Sequence, residues 1–88
     1  MKQIKLSGRE RSVLRALDFS TGNAGEELLE HTRLESEDLV DVINGLMEAG
    51  FMEMSPYAER TCLESFREVH FEVNPSYALE LRTAMART

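Results

Sequence analysis

One cysteine, two histidines and sixteen carboxylates are the side chains of this chain best suited to chemistry. A thiol near an imidazole can form a nucleophile and base pair, and Cys62 and His70 are close enough in sequence to raise that reading. No glycine motif that builds an oxyanion hole accompanies them, so the residues argue against a thiol catalyst. Cys62 is then expected to be a small packing residue and His70 a histidine on a surface strand. One thiol with His31 and His70 far apart makes no zinc spacing either, so neither a metal nor a cofactor is expected. The carboxylates are the informative group. Between Ser36 and Ala49 they recur at helical spacing, and the row Glu37, Asp41, Asn44, Gly45, Glu48 falls on one side of a 3.6-residue wheel. Three of those five residues are acidic, which suits binding better than catalysis.

Positioning that row requires a helix whose other side is buried. Leu39, Ile43, Leu46 and Met47 supply the buried stripe, and Gly50 is a natural left-handed stop after it. Before this helix, Glu26 and Glu27 suit the first turn of a shorter one with Leu28 and Leu29 facing inward, spanning about 25 to 31. Thr32 to Glu35 make the turn, and Ser36 reads as the N-cap of the longer helix, which runs to about 49. Two helices joined so closely cross steeply, and the strand composition of Phe51 to Met54 follows.

The flanks read in the same way. Met1 to Leu6 is a short alternating segment that can add a small strand or pack as an arm. Ser7 and Glu10 form a capping box that starts a first helix over about 8 to 18, with Val13, Leu14 and Leu17 inward and the turn residues of FSTGNAG after it. Residues 55 to 65 fit a long loop, although Ser55-Pro56 also suits a helical start. Val69, Phe71 and Val73 alternate with polar residues, predicting a half-buried strand near 67 to 73 that pairs antiparallel with 51 to 54. Asn74-Pro75 opens a last helix to about 85, carrying the apolar stripe Tyr77, Leu81, Ala84 and Met85. Met47, Met52, Met54 and Met85 sit at apolar periodic positions, where methionine usually fills core.

With 88 residues the chain can form one domain, expected to span 1 to 88, with little room for a deep cavity behind its core. A surface is the better candidate for function. The single cysteine excludes an internal disulfide, and no apolar run suits a signal peptide or a membrane span, so a cytoplasmic protein with no membrane partner is expected. Net charge is −6, but it is unevenly spread. Residues 1 to 17 hold Lys2, Lys5, Arg9, Arg11 and Arg15 against Glu10, leaving +4, while the remainder holds 5 basic and 15 acidic side chains, leaving −10. Residues 24 to 49 alone carry one arginine against eight carboxylates, or −7.

In its order of elements the chain resembles the winged helix-turn-helix superfamily, in particular MarR-like and ArsR-like bacterial regulators. The resemblance covers about residues 7 to 85 and rests on LSGRERSVLRAL, EELLEHTRL, LVDVINGLMEAGFMEM and HFEVNPSYALEL. It implies an α+β fold in which three helices with a helix-turn-helix are followed by a two-stranded β wing and a C-terminal helix. It also implies a DNA-reading face at Ser36, Glu37, Asp41, Asn44 and Glu48, with Arg60 in the wing, and dimerisation through a terminal helix. The chain departs from the family in charge. Its third helix has no lysine or arginine to neutralise phosphate, and four carboxylates there would repel it.

Two functions are therefore expected. The leading one is a non-catalytic binding module in a regulatory, transcription-related setting, whose acidic helix-turn-helix meets a protein partner with a basic surface. The other is a dimeric DNA-binding regulator that uses Lys2, Lys5, Arg9, Arg11, Arg15, Arg60 and the wing. The stripe Tyr77, Leu81, Ala84 and Met85 is the expected homodimer contact. The bland alternative for the acidic row is a solvated face that keeps a small protein in solution.

Overall fold

A computed structural model describes residues 4 to 86. It is an α+β domain of four α-helices and a three-stranded antiparallel sheet. In chain order these are α1 (Gly8–Ala16), β1 (Asn23–Ala24), α2 (Gly25–Thr32), α3 (Ser36–Glu48), β2 (Met52–Ser55), β3 (His70–Val73) and α4 (Ala78–Ala86). Short 3-10 turns at Phe66–Glu68 and Pro75–Tyr77 lead into β3 and α4. The sheet order is β1-β3-β2, which leaves β2 on an outer edge.

Local chemistry explains most boundaries. At the start of α1 the Ser7 hydroxyl accepts from the Glu10 N–H at 3.1 Å, and the Glu10 carboxylate accepts from the Ser7 N–H at 2.7 Å. The expected capping box is therefore in place, and Val13, Leu14 and Leu17 are buried as their spacing requires. In the turn that follows, the Asp18 carboxylate accepts from the N–H groups of Ser20 and Thr21, and these bonds hold its pKa below the usual carboxylate value. The Glu27 carboxylate accepts from the Ala24 N–H at 3.0 Å and fixes the start of α2. Helix α2 ends on Arg33, which takes the left-handed conformation at φ 61°.

Helix α3 begins one residue earlier in the chain than its expected cap implies. Glu35 is its N-cap and makes no side-chain capping bond, whereas Ser36 is the first helical residue. Its end follows expectation. Gly50 has φ +85°, its N–H donates to the Met47 carbonyl, and the Phe51 N–H donates to the Leu46 carbonyl, both at 3.0 Å. That crossed pair satisfies two of the last carbonyls of the helix and turns the chain into β2.

The sheet differs from the two-stranded pair anticipated above. Asn23 and Ala24 pair with Phe71 and His70 and form a third strand from the segment between α1 and α2. Residues 67 and 68, expected in a strand, lie in the 3-10 turn that buries Phe66, so β3 starts only at His70. Met52, Glu53, Met54 and Ser55 pair with Val73, Glu72, Phe71 and His70. The core is continuous from α1 through α3 to β3, with Leu14, Leu28, Leu39, Ile43, Leu46, Phe66 and Phe71 buried. Gly25 is part of this packing, because a Cβ there would run into the Phe66 carbonyl.

Helix α4 closes the core. Asn74 caps the preceding turn, accepting from the Ser76 N–H at 3.0 Å, and donates through its amide to the Gly50 carbonyl at 2.8 Å. Leu81 and Ala84 are buried, Met85 packs partly buried against the core, and Tyr77 meets Phe51 edge-on at 5.1 Å. Leu81 and Ala84 of the stripe expected to hold a homodimer therefore face their own core, whereas Tyr77 remains exposed at the start of the stripe and Leu79 of α4 points outward, 74% exposed. No helix among the described residues is long and apolar enough to cross a membrane.

Candidate interaction face

Helix α3 presents its row of charge as its sequence implies, with one exception that changes the surface. Glu37, Asp41, Gly45 and Glu48 are exposed and Ser36 is half-buried. Glu37, Asp41 and Glu48 make no ion pair among the described residues. These unpaired carboxylates make this side of α3 negative.

Asn44, expected to face a partner, is buried. Its amide Nδ2 donates to the Thr61 carbonyl at 3.1 Å, and its Oδ1 accepts from the Thr61 N–H at 2.8 Å. A primary amide has one donor side and one acceptor side, so it can complete a backbone peptide group as a neighbouring strand would. Asn44 thereby pins the loop after β2 across the outward side of α3. The Thr61 hydroxyl, buried beneath this crossing, has no hydrogen-bond partner among the described residues.

The loop also creates a feature that sequence reasoning missed. Between the end of α3, strand β2 and residues 57 to 60 lies an open cleft of about 550 Å³. Its apolar lining comes from Met47, Met52 and Met54, with Tyr57 at 83% exposure on the loop side. Its charged lining is Glu48, Glu53, Glu59 and Arg60. Met52 is buried core, as the methionine spacing suggested, but Met47 and Met54 are only half-buried and also serve this surface. The one available sequence signal was an aromatic residue placed among polar loop residues.

The expected basic patch is only partly assembled. Lys2 lies outside the described residues. Lys5, Arg9 and Arg15 are exposed and Arg11 is half-buried. Arg9 lies 3.5 Å from the Asp38 carboxylate, so part of the basic first helix offsets the acidic third helix within the same chain. Both side chains are substantially exposed, and such a pair contributes little to stability. Arg60 is exposed on the loop and lines the cleft.

Cys62 and His70 are engaged separately. Cys62 is exposed, not packed as expected, and its Sγ lies 3.2 Å from the Ser65 hydroxyl. His70 Nε2 lies 2.8 Å from the Thr21 carbonyl and 3.4 Å from the Glu72 carboxylate. Its hydrogen bond to Thr21 ties β3 to the turn before β1. No group of three or more His, Cys, Asp or Glu side chains that could hold a metal occurs among the described residues. Comparison with protein-family models, with curated proteins and with solved structures found no match to the chain.

Proposed function

We propose that this chain is a non-catalytic winged-helix binding module of a regulatory system, and that its acidic third helix meets a basic surface on a protein partner. The winged-helix reading is supported by the order of α1, β1, α2, α3, β2, β3 and α4 and by the strand order β1-β3-β2. One observation carries the choice of partner. The side of α3 that would enter a DNA groove bears three unpaired carboxylates, and its only amide is already bonded to the Thr61 backbone. A groove helix works beside two rows of phosphate, where each carboxylate adds repulsion and releases no counterion. A basic protein surface reverses that sign, and its charge speeds association.

The second reading, a DNA-binding regulator, draws support from the exposure of Lys5, Arg15 and Arg60. One variant separates the two. Replacing Glu37, Asp41 and Glu48 together by glutamine is expected to slow association with a lysine-rich test peptide by about tenfold at low salt and to remove most of its salt dependence. The same variant is expected to leave binding to random duplex unchanged or improved. A loss of duplex affinity in a mobility-shift titration would mean that these side chains accept from base edges, and would overturn the protein reading.

A further inference from the structure

The cleft beside the C-terminal end of α3 holds about 550 Å³, within the size range of binding sites for small groups. Its apolar lining is soft. Met47 and Met54 are half-buried there and Met52 is buried, so two flexible thioethers remain open to a visitor. On the loop side Tyr57 stands 83% exposed, an aromatic ring that the domain's own core does not cover. The two asparagines of the lining are already committed, Asn44 to the Thr61 main chain and Asn74 to the Gly50 carbonyl and the Ser76 N–H.

The remaining polar groups decide what fits. Glu48, Glu53 and Glu59 are exposed in the lining against one guanidinium, Arg60, and none of the four makes an ion pair among the described residues. An ionised carboxylate only accepts hydrogen bonds, so the occupant must bring donors and positive charge. Helix α3 adds to this preference. Its C-terminal end, the negative end of its dipole, borders the cleft at Met47, Glu48 and Gly50, and its last turn has no basic residue. The methionines require that the cation carry an apolar stem. An open cleft does not enclose a free small molecule as buried sites do, which favours a side chain presented by another protein surface. Glu48 belongs to the acidic row of α3 as well, so a partner on that row reaches the cleft.

We propose that the cleft receives an arginine side chain of the basic protein partner, with its stem on Met47 and Met54, its guanidinium against the ring of Tyr57, and its N–H groups donating to Glu48, Glu53 and Glu59. This rests on the protein-binding reading above and names the anchor of that interface. Arginine suits the lining better than lysine, because a planar guanidinium offers five donors and stacks on an aromatic face. A single side chain of this kind, seated in a pocket, commonly carries much of the affinity of an interface. The chain's own Arg60 lies beside the same carboxylates and opposes the incoming cation.

The test titrates the full chain with a blocked leucine-arginine-leucine tripeptide and follows methionine-methyl, tyrosine-ring and backbone chemical shifts. Citrulline and lysine counterparts of the peptide keep the stem while removing the charge or the planar fork. The expected result is a saturable shift of the Met47 and Met54 methyls and of the Tyr57 ring with the arginine peptide. Affinity should fall about tenfold with citrulline and in the Glu48→Gln, Glu53→Gln, Glu59→Gln triple variant, and about threefold with lysine and in Tyr57→Ala. Unchanged thermal midpoints show that the variants fold. Arg60→Gln should strengthen binding, since it removes a competing cation; weaker binding there would show that the cleft favours anions and would overturn the anchor. Equal binding of the citrulline peptide would overturn it too, and equal binding of the lysine peptide would overturn the choice of arginine. Shifts at Glu37 and Asp41 with the lysine-rich peptide, while the tripeptide moves neither methionine methyl, would overturn the anchor and leave the protein-binding reading intact. An unaltered spectrum with both peptides would overturn both.

Discussion

Asn44 is the residue that most changes the meaning of the surface. Its position on the helical wheel assigns it to the exposed row, yet it is buried because a loop seventeen residues away needs its amide. Replacing it with alanine would strand the Thr61 N–H and carbonyl in a site closed to water. Asn44→Ala is expected to cost about 1 to 3 kcal/mol, the usual range for orphaned buried polar groups. Amide hydrogen exchange should rise through residues 56 to 65 more than in α1. Unchanged exchange there would show that the loop is held by other contacts. Gly50 carries a second residue-scale consequence. Its φ of +85° lies where a β-branched residue is strained, although the space around it is open, the nearest atom to a Cβ being Tyr77 Cε2 at 3.9 Å. Gly50→Val should therefore lose on the order of 1 kcal/mol or more through backbone conformation alone. A thermal midpoint equal to that of the parent chain would contradict this.

Elements were legible where a pattern was long and local. The capping box of α1, the apolar stripe of α3 and the glycine stop all act within a turn or two, so the sequence carries them openly. Strand β1 does not. It is two residues long, and Asn23 and Ala24 are strand only because Phe71 and His70 lie beside them. The first residues of the predicted strand near 67 were misread for a related reason, since burying Phe66 against α2 takes a 3-10 turn there. For α4 the apolar spacing was legible, but that Leu81 and Ala84 of the stripe pack into the chain's own core was not. Leu81 is buried against the domain's own core, so Leu81→Ala should cost about 2 to 5 kcal/mol of stability. Sedimentation of the folded variant should match that of the parent chain, and a change in association alone would restore the dimer reading. The turn between α1 and β1 makes a prediction about acid. The folded-state pKa of Asp18 is depressed by the N–H groups of Ser20 and Thr21. Its contribution is fully present above the unfolded value, near the ordinary carboxylate pKa, and is lost as pH falls through the lower folded value. Asp18→Asn should flatten the fall of the melting temperature in that acidic window. Parallel curves for variant and parent would show that the turn does not depend on the charge.

At the scale of the molecule, the residues by themselves determined the class of fold, the helices and the separation of a basic first helix from an acidic second and third. These follow from periodicity, capping chemistry and charge counting, all of which act over a few residues or depend on no geometry. Tertiary structure alone decided which exposed-looking residues are available. It paired Arg9 with Asp38, turned Leu81 and Ala84 of α4 inward and left Leu79 outside. It also laid the loop at Thr61 across α3, so that a methionine-lined cleft opened between α3, β2 and that loop. Each of these outcomes depends on contacts between residues distant in sequence. Helical and strand periods specify which way a side chain points from its own element, but not what another part of the chain places in front of it.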